Sequence, residues 1–373
     1  MAMAMAMPLF PPPECARLIV KIGSALLVDD AGGIRRGWLA GIAADIATRV
    51  REGQQVAVVS SGAIALGARR LTLPKGGRAS LEDAQAAAAT GQIALAGAWA
   101  ELLAGEGLVA AQMLLTLGDL EDRRRYLNAA ATLGRLLDLG AVPVINENDS
   151  VATEEIRFGD NDRLAARVAQ AAGAQGVLLL SDVDGLYDRN PALAGAAHIA
   201  RVERIDGAIV AMADGGSGSG LGSGGMVSKI AAARIANAAG ARLAIASGRI
   251  ERPLSADARH TIFVAERGAP ARKAWLAGGL TAHGEIHVDA GAAAALAGGA
   301  SLLAAGATRI EGGFARGDLV RIVGPAGPLA RGLAEYDARD AARLVGRRSD
   351  EHAAILGYAP RAALVHRNHL ALL

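Results

Sequence analysis

The chain reads as an α/β protein with a mainly parallel sheet covered by helices, followed by a small β-rich domain. Three observations lead there. Short β-branched runs alternate with long Ala-rich helical stretches through the first 265 residues. The strand-like runs are apolar without interruption, as in strands buried on both faces. After Leu280 the composition changes, lysine disappears from Ala282 onward, and short strands separated by Gly and Pro turns take over.

The β-branched runs predict strands at 18–22, 56–59, 109–115, 142–145, 177–180 and 242–246. Apolar spacing at helical period predicts helices over 38–51, 81–103, 120–138, 161–172 and 227–239. The tail predicts strands at 285–288, 319–323, 329–335 and 362–366. Domain boundaries follow: an extension over 1–16 expected to be disordered, a first domain over 17–265, a linker over 266–281 and a second domain over 282–373.

Bulk composition narrows the function. Hydrophobic content of 52% describes a globular protein with a large aliphatic core. A net charge of +2 gives no case for a nucleic-acid or membrane surface. The one cysteine, Cys15, forms no internal disulfide and fits a reducing compartment. The longest uncharged stretches, 84–100 and 290–308, are dominated by Ala and Gly and lack the strong apolarity of a bilayer span. They read as Ala-rich packed helix and turn. The Met-Ala alternation at the start lacks a basic region, and prolines interrupt it, so no signal peptide is expected and the address is cytoplasmic.

Lysine usage is the sharpest local signal. Of 39 basic residues only Lys21, Lys75, Lys229 and Lys273 are lysines. Two of them stand where a phosphate could use a compact point charge. Lys21 ends an apolar strand and precedes Gly23-Ser24; Lys229 closes the run Gly222-Ser223-Gly224-Gly225-Met226-Val227-Ser228. Four segments follow predicted strands and should meet at one sheet edge, where such folds collect ligands. They are Lys21–Ser24, Ser60–Ala63, Asn146–Asp149 and Ser181-Asp182. Ser60–Gly62 opens a helix and could offer backbone N–H groups to an anion; an ordinary helix cap reads equally well there. The Gly215–Gly225 loop could cradle a polyphosphate or serve as a linker. It lacks a leading strand, so it is no dinucleotide fingerprint, and no Walker motif occurs. Asn146–Asp149 and Gly159–Asp162 form two polar turns suited to a cation or an amino group. No His/Cys cluster has metal-ligand spacing, and His366 and His369 read as surface residues.

Taken in order, these motifs resemble one family. Lys21-Ile22-Gly23-Ser24, Ser61-Gly62-Ala63, Gln112–Leu115, Pro143–Asp149, Phe158–Asp162, Ser181-Asp182, Gly185-Leu186-Tyr187 and Gly222–Lys229 are similar to the glutamate 5-kinases of the amino acid kinase superfamily. The tail, with Gly284-Glu285-Ile286 and Ala354–Tyr358, resembles a PUA domain. The resemblance implies an amino acid kinase-like three-layer sandwich followed by PUA. It implies ATP-dependent phosphorylation of the L-glutamate side-chain carboxylate to L-glutamyl 5-phosphate, the first step toward proline.

The resemblance also implies roles. Lys21, Lys229 and Asp162 would be catalytic: the lysines stabilise the transferring phosphoryl group and Asp162 orients both. Ser61, Gly62, Asn146, Asp149 and Asn161 would bind substrate, with Asp149 on the α-ammonium. Lys21, Ser181, Asp182, Gly222, Ser223, Gly224, Gly225, Met226 and Lys229 would bind ATP. Mg²⁺ would arrive with ATP rather than on a protein site. L-glutamate, ATP, proline as feedback inhibitor and a homo-oligomer (dimer or tetramer) are the implied partners; no membrane and no RNA partner is expected. Arg157 stands where the family pattern has Lys, and Ser181 where Thr is usual. The alternatives are another acyl-phosphate-forming kinase, acting on aspartate or N-acetylglutamate, or RNA binding through the PUA domain. With 10 Arg against 9 acids from Ala282 onward, the tail lacks a basic face.

Overall fold

The computed structural model describes residues 9–29, 33–151, 161–214, 225–256, 258–265, 282–358 and 361–373. Contacts divide the chain into two units, 1–121 with 129–266 and 122–128 with 267–373.

In the first unit, β1 (Arg17–Ile22) leads through the short α1 (Ser24–Leu27) into α2 (Arg36–Arg51) and β2 (Gln55–Val59). Then follow α3 (Ala63–Arg70), α4 (Leu81–Gly105), β3 (Ala110–Leu115), α5 (Leu117–Glu121), α6 (Arg123–Asp138) and β4 (Val142–Glu147). The second half holds α7 (Asn161–Ala172), β5 (Gly176–Ser181), β6 (Leu186–Tyr187), β7 (His198–Ile199), β8 (Arg201–Val202) and α8 (Gly207–Asp214). It closes with α9 (Met226–Ala238), β9 (Arg242–Ser247) and β10 (His260–Phe263). The sheet order is β3-β4-β2-β1-β5-β9-β10-β8, with β6 and β7 paired separately. The six strands from β3 to β9 run parallel, and β10 pairs antiparallel to β9. The carboxyl ends of β4, β2, β1, β5 and β9 therefore lie side by side along one edge. Every residue of β4 and β5 is buried, which explains their uninterrupted apolar sequence.

The helix expected over 120–138 is interrupted. Asp122 accepts a hydrogen bond from the Arg125 N–H through Oδ1 at 2.9 Å, capping a new helix where the old one would have continued. Residues 9–16, expected as part of a disordered extension, are ordered. Phe10 and Cys15 lie in the core. Arg49, itself buried, donates to the carbonyls of Leu9, Phe10 and Leu254, and Gln54 donates to those of Phe10 and Cys15. A lone Pro-rich stretch gave no sign of these long-range acceptor contacts. Burial pushes the Cys15 thiol up to about 11, which leaves it inert.

The contact that sets the site's floor is α3 against α4. A Cβ on Gly67 would lie 1.7 Å from the Ala87 carbonyl oxygen, and one on Gly91 would lie 1.8 Å from that of Ala63. Only glycine permits this approach. It fixes Ala63, the first residue of α3, and with it the turn at Gly62, whose φ of 100° also favours glycine.

In the second unit, β11 (Gly284–Val288), β12 (Leu302–Leu303), β13 (Ala307–Gly312), β14 (Leu319–Gly324), β15 (Gly327–Leu333), β16 (Ala363–Val365) and β17 (Leu370–Leu372) surround their own apolar core. Its main sheet has the order β13-β11-β14-β15-β17. Sequence reading missed β13 because it is an exposed edge strand with only one buried residue. His369, expected at the surface, is buried: its Nδ1 lies 3.3 Å from Glu335 Oε1, while Arg361 donates to Glu335 Oε2 at 2.7 Å. Such a partner, supplied from another element, is invisible in a local sequence window. No helix among the described residues is long and apolar enough to cross a membrane.

Replacing Gly67 with Ala should force the α3–α4 pair apart. A loss of roughly 1–3 kcal/mol or more in urea-denaturation stability is expected, whereas Gly97→Ala at an exposed position of α4, where a Cβ meets nothing, should stabilise by roughly 0.5–1 kcal/mol and serves as the comparison.

Candidate active site

Three charged side chains from three elements meet at the carboxyl edge of the sheet. Lys21 is the next-to-last residue of β1, Asp162 sits in the first turn of α7, and Lys229 in the first turn of α9. Lys21 Nζ lies 2.7 Å from Asp162 Oδ1, and Lys229 Nζ lies 2.8 Å from Asp162 Oδ2. All three are buried. Burial alone would raise the Asp162 carboxyl, but the two ammoniums outweigh it and hold it below the ordinary carboxylate range. Asp162 thus holds two lysine side chains together at the centre of the site, an arrangement suited to an anion.

On one side of β1, along β2 and β4, lies a pocket of about 230 Å³, lined by Ala63, Gln92, Gln112, Asn148 and Asp149 among others. The turn after β2 supplies Ser61, whose Oγ accepts from Asn161 Nδ2 at 2.8 Å. Ser60 is held by Trp99, which donates from Nε1 at 3.2 Å, and by its own N–H to the Ile145 carbonyl at 2.8 Å. The end of β4 supplies Asn146, which donates to Gln92 Oε1 at 2.7 Å. Four buried polar atoms here have no hydrogen-bond partner among the described residues: Gln92 Nε2, Asn146 Oδ1, Asp149 Oδ1 and Asn161 Oδ1. Buried polar atoms are normally satisfied, so one donor and three acceptors gathered together mark a place for a polar ligand. Desolvation raises the Asp149 carboxyl to about 6, opposed only by the charge of Arg78.

On the other side of β1, beyond β5 and β9, lies a second pocket of about 560 Å³ lined by Asp182, Asp184, Tyr187, Ser247 and Arg259. Ser181 closes β5 and donates to Asp182 Oδ1 at 3.0 Å. Gly225 caps α9 and Met226 opens it, so the amino end of that helix carries Lys229. Of the sequence candidates, Lys21, Lys229 and Asp162 converge directly; Asp149 lines the first pocket, Asn146 is bonded to Gln92 of its wall, Gly62 precedes its Ala63, and Ser61 is bonded to Asn161. Ser181 and Asp182 lie at the second. Gly222, Ser223, Gly224, Arg157 and Phe158–Asp160 lie outside the described residues. Gln92 and Arg78 were missed: each sits in a stretch with no motif, and only the tertiary fold sets them beside Asn146 and Asp149.

The sequence profile of the amino acid kinase family matches residues 16–247, and that of the PUA domain matches 284–356. The protein is 77% identical over 368 residues to the glutamate 5-kinase of Sphingopyxis alaskensis, covering 98% of this chain and 100% of that one. This chain belongs to the glutamate 5-kinase family. It is also 62% identical to the glutamate 5-kinase of Novosphingobium aromaticivorans, over 96% of both chains. With that of Zymomonas mobilis it shares 60% identity, over 98% of this chain and 93% of that one.

Two consequences can be measured. Replacing Asp162 with Asn strands two buried ammoniums, and a stability loss of about 3–5 kcal/mol in chemical denaturation is expected. Asp149 acts in the opposite sense. Its folded pKa lies above the unfolded value near 4, so the folded state binds the extra proton between pH 4 and 6. Stability of the unliganded protein therefore falls as pH rises through that window. Asp149→Asn should remove this fall, so its stability relative to wild type should improve by about 1–3 kcal/mol between pH 4.5 and 7.5.

Proposed function

We propose that this chain transfers the γ-phosphoryl group of ATP to the side-chain carboxylate of L-glutamate, forming L-glutamyl 5-phosphate for proline synthesis. The observation that carries the reading is Asp162 holding the Lys21 and Lys229 ammoniums together near the carboxyl end of β1, the strand between two pockets. The first pocket suits the amino acid and the second suits the nucleotide.

The chemistry asks little of the protein beyond placement. A glutamate side chain has a reference pKa of about 4.3, so at neutral pH it is already an anionic nucleophile and needs no general base. One carboxylate oxygen forms a bond to the γ-phosphorus. The bond from that phosphorus to the bridging oxygen breaks, and ADP leaves with the electron pair. Charge spreads over the equatorial phosphoryl oxygens in passing, and catalysis rests on alignment and neutralisation. Lys21 and Lys229 supply two point charges for those oxygens. Asp162 keeps the ammoniums in place before the phosphoryl group arrives, so little reorganisation is left for the reaction itself.

Asp149 receives the substrate α-ammonium. Its unpaired buried oxygen gains a charge-assisted partner, and binding restores the ionised form that burial disfavours. An N-acetylated substrate has no such ammonium, which separates this reading from an N-acetylglutamate kinase. Ser61 and Asn161, already bonded to each other, and the Gly62 turn border the acyl group, while Asn146 and Gln92 back the pocket. Ser181, Asp182, the 222–226 segment and Lys229 hold the nucleotide. Asp162 uses both oxygens on lysines, so magnesium is not expected there; it travels with the ATP phosphates, whose charge it offsets when bound. Family membership also leads us to expect feedback inhibition by proline, a cytoplasmic location and a homo-oligomer. Proline titration, fractionation and light scattering check these.

Lys229→Arg should lower turnover by about 100-fold or more although charge is kept, because a planar fork cannot replace a point charge in this buried position. Asp149→Ala should raise the KM for glutamate with little change in that for ATP. Both are read by coupled ADP detection, with hydroxylamine trapping of the acyl phosphate. Near-normal turnover of the first variant, or unchanged glutamate saturation of the second, would sink the assignment.

A further inference from the structure

The second unit carries a side-chain cluster that the kinase reaction does not use. Glu285 and His287 alternate along β11 with Ile286 and Val288, which are buried, so the two polar side chains stand on the outer face. Register places Glu311 of β13 directly opposite Glu285, and Arg309 opposite His287. On the other side, Arg321 of β14 stands opposite Glu285. Each carboxylate gives one oxygen to an arginine: Arg321 Nη1 donates to Glu285 Oε1 at 2.9 Å, and Arg309 Nη1 lies 2.8 Å from Glu311 Oε1. The remaining oxygens turn toward the same imidazole nitrogen. His287 Nε2 lies 3.3 Å from Glu311 Oε2 and 3.6 Å from Glu285 Oε2.

Those separations have a chemical meaning. Ligand atoms at zinc distances of about 2.0–2.2 Å with tetrahedral angles stand about 3.4 Å apart. One imidazole nitrogen and two carboxylate oxygens form a donor set for a borderline divalent ion such as Zn²⁺, Co²⁺ or Ni²⁺, with water completing the shell. Arg321 would orient the Glu285 carboxylate from behind, as outer hydrogen bonds commonly do around metals. One group stands in the way. Arg309 Nη2 lies 3.3 Å from His287 Nε2 and competes for the nitrogen lone pair. Its side chain is 61% exposed, so it can turn into water without unpacking anything.

We propose that Glu285, His287 and Glu311 form a site for a divalent transition ion on the outer face of the PUA domain, with Arg309 as the internal group the ion displaces. Sequence spacing hides the site, because one ligand lies across a strand pairing. The ion would tie β11 to the edge strand β13.

The test uses the full chain, stripped with chelator and free of nucleotide, titrated with Co²⁺ alone while d–d absorption is followed. A saturable band is expected. His287→Gln should weaken binding at least about tenfold. Arg309→Gln should tighten it severalfold, an outcome that a damaged fold would not produce. Zn²⁺ should raise the Tm of the wild type and not that of His287→Gln. Absence of a saturable band, equal Co²⁺ binding by wild type and His287→Gln, or no tightening in Arg309→Gln would each overturn the proposal. In that event the cluster is only a set of cross-strand contacts among Glu285, His287, Arg309 and Glu311.

Discussion

One carboxylate shared by two ammoniums organises the first unit. Asp162 is fully enclosed, and an isolated ion there would cost several kcal/mol in lost hydration. Lys21 and Lys229 offset that cost, and each is in turn tolerable only because Asp162 is ionised. The constraint reaches far along the chain. It requires the carboxyl end of β1 and the amino ends of α7 and α9 to lie within one side chain of each other, although 208 positions separate the two lysines. The parallel sheet meets that requirement, because its strands deliver their carboxyl ends to a common edge. The result is a buried centre in which one carboxylate holds two lysines in place.

Around this centre the protein uses rigid support. Trp99 fixes Ser60, Asn161 fixes Ser61, and Gln92 fixes Asn146. The near contact of α3 and α4, possible only through Gly67 and Gly91, holds the Gly62 turn from below. The first pocket consequently presents unpaired polar atoms from three elements that cannot rotate together to satisfy one another. That arrangement sacrifices some unliganded stability, visible in the raised Asp149 carboxyl, for a pocket that offers unpaired polar groups to a ligand. The second unit follows a different logic. Its outer face is laced with cross-strand ion pairs in which cations and anions nearly balance, and its residues are positioned by register alone.

Much of the first unit was legible in advance. The strands 18–22, 142–145 and 177–180 are buried on both faces, so their continuous apolar runs stand out, and the last two run directly into the polar residues Asn146 and Ser181. Helix 81–103 was legible because Ser80 caps it and no proline or charge run interrupts its apolar spacing. The break at Asp122 was not, since an Asp inside a helical pattern can cap a new helix or simply face water. Phe10, Cys15 and His369 were misjudged for one reason: the side chains that enclose them come from elsewhere in the chain. Strand β13 escaped because an exposed edge strand carries no hydrophobic alternation.

The sequence alone determined the fold class, the family and the identity of the charged residues, because short-range patterning and ordered motifs are properties of neighbouring positions. It named Lys21, Asp162 and Lys229 without stating any distance among them. Only the tertiary structure decided that Asp162 touches both lysines at once, that Gln92 and Arg78 belong beside Asn146 and Asp149, and that Glu311 faces Glu285. Burial, desolvation and cross-strand register are properties of atoms brought together by folding, and they depend on separations in space that no local window of residues contains.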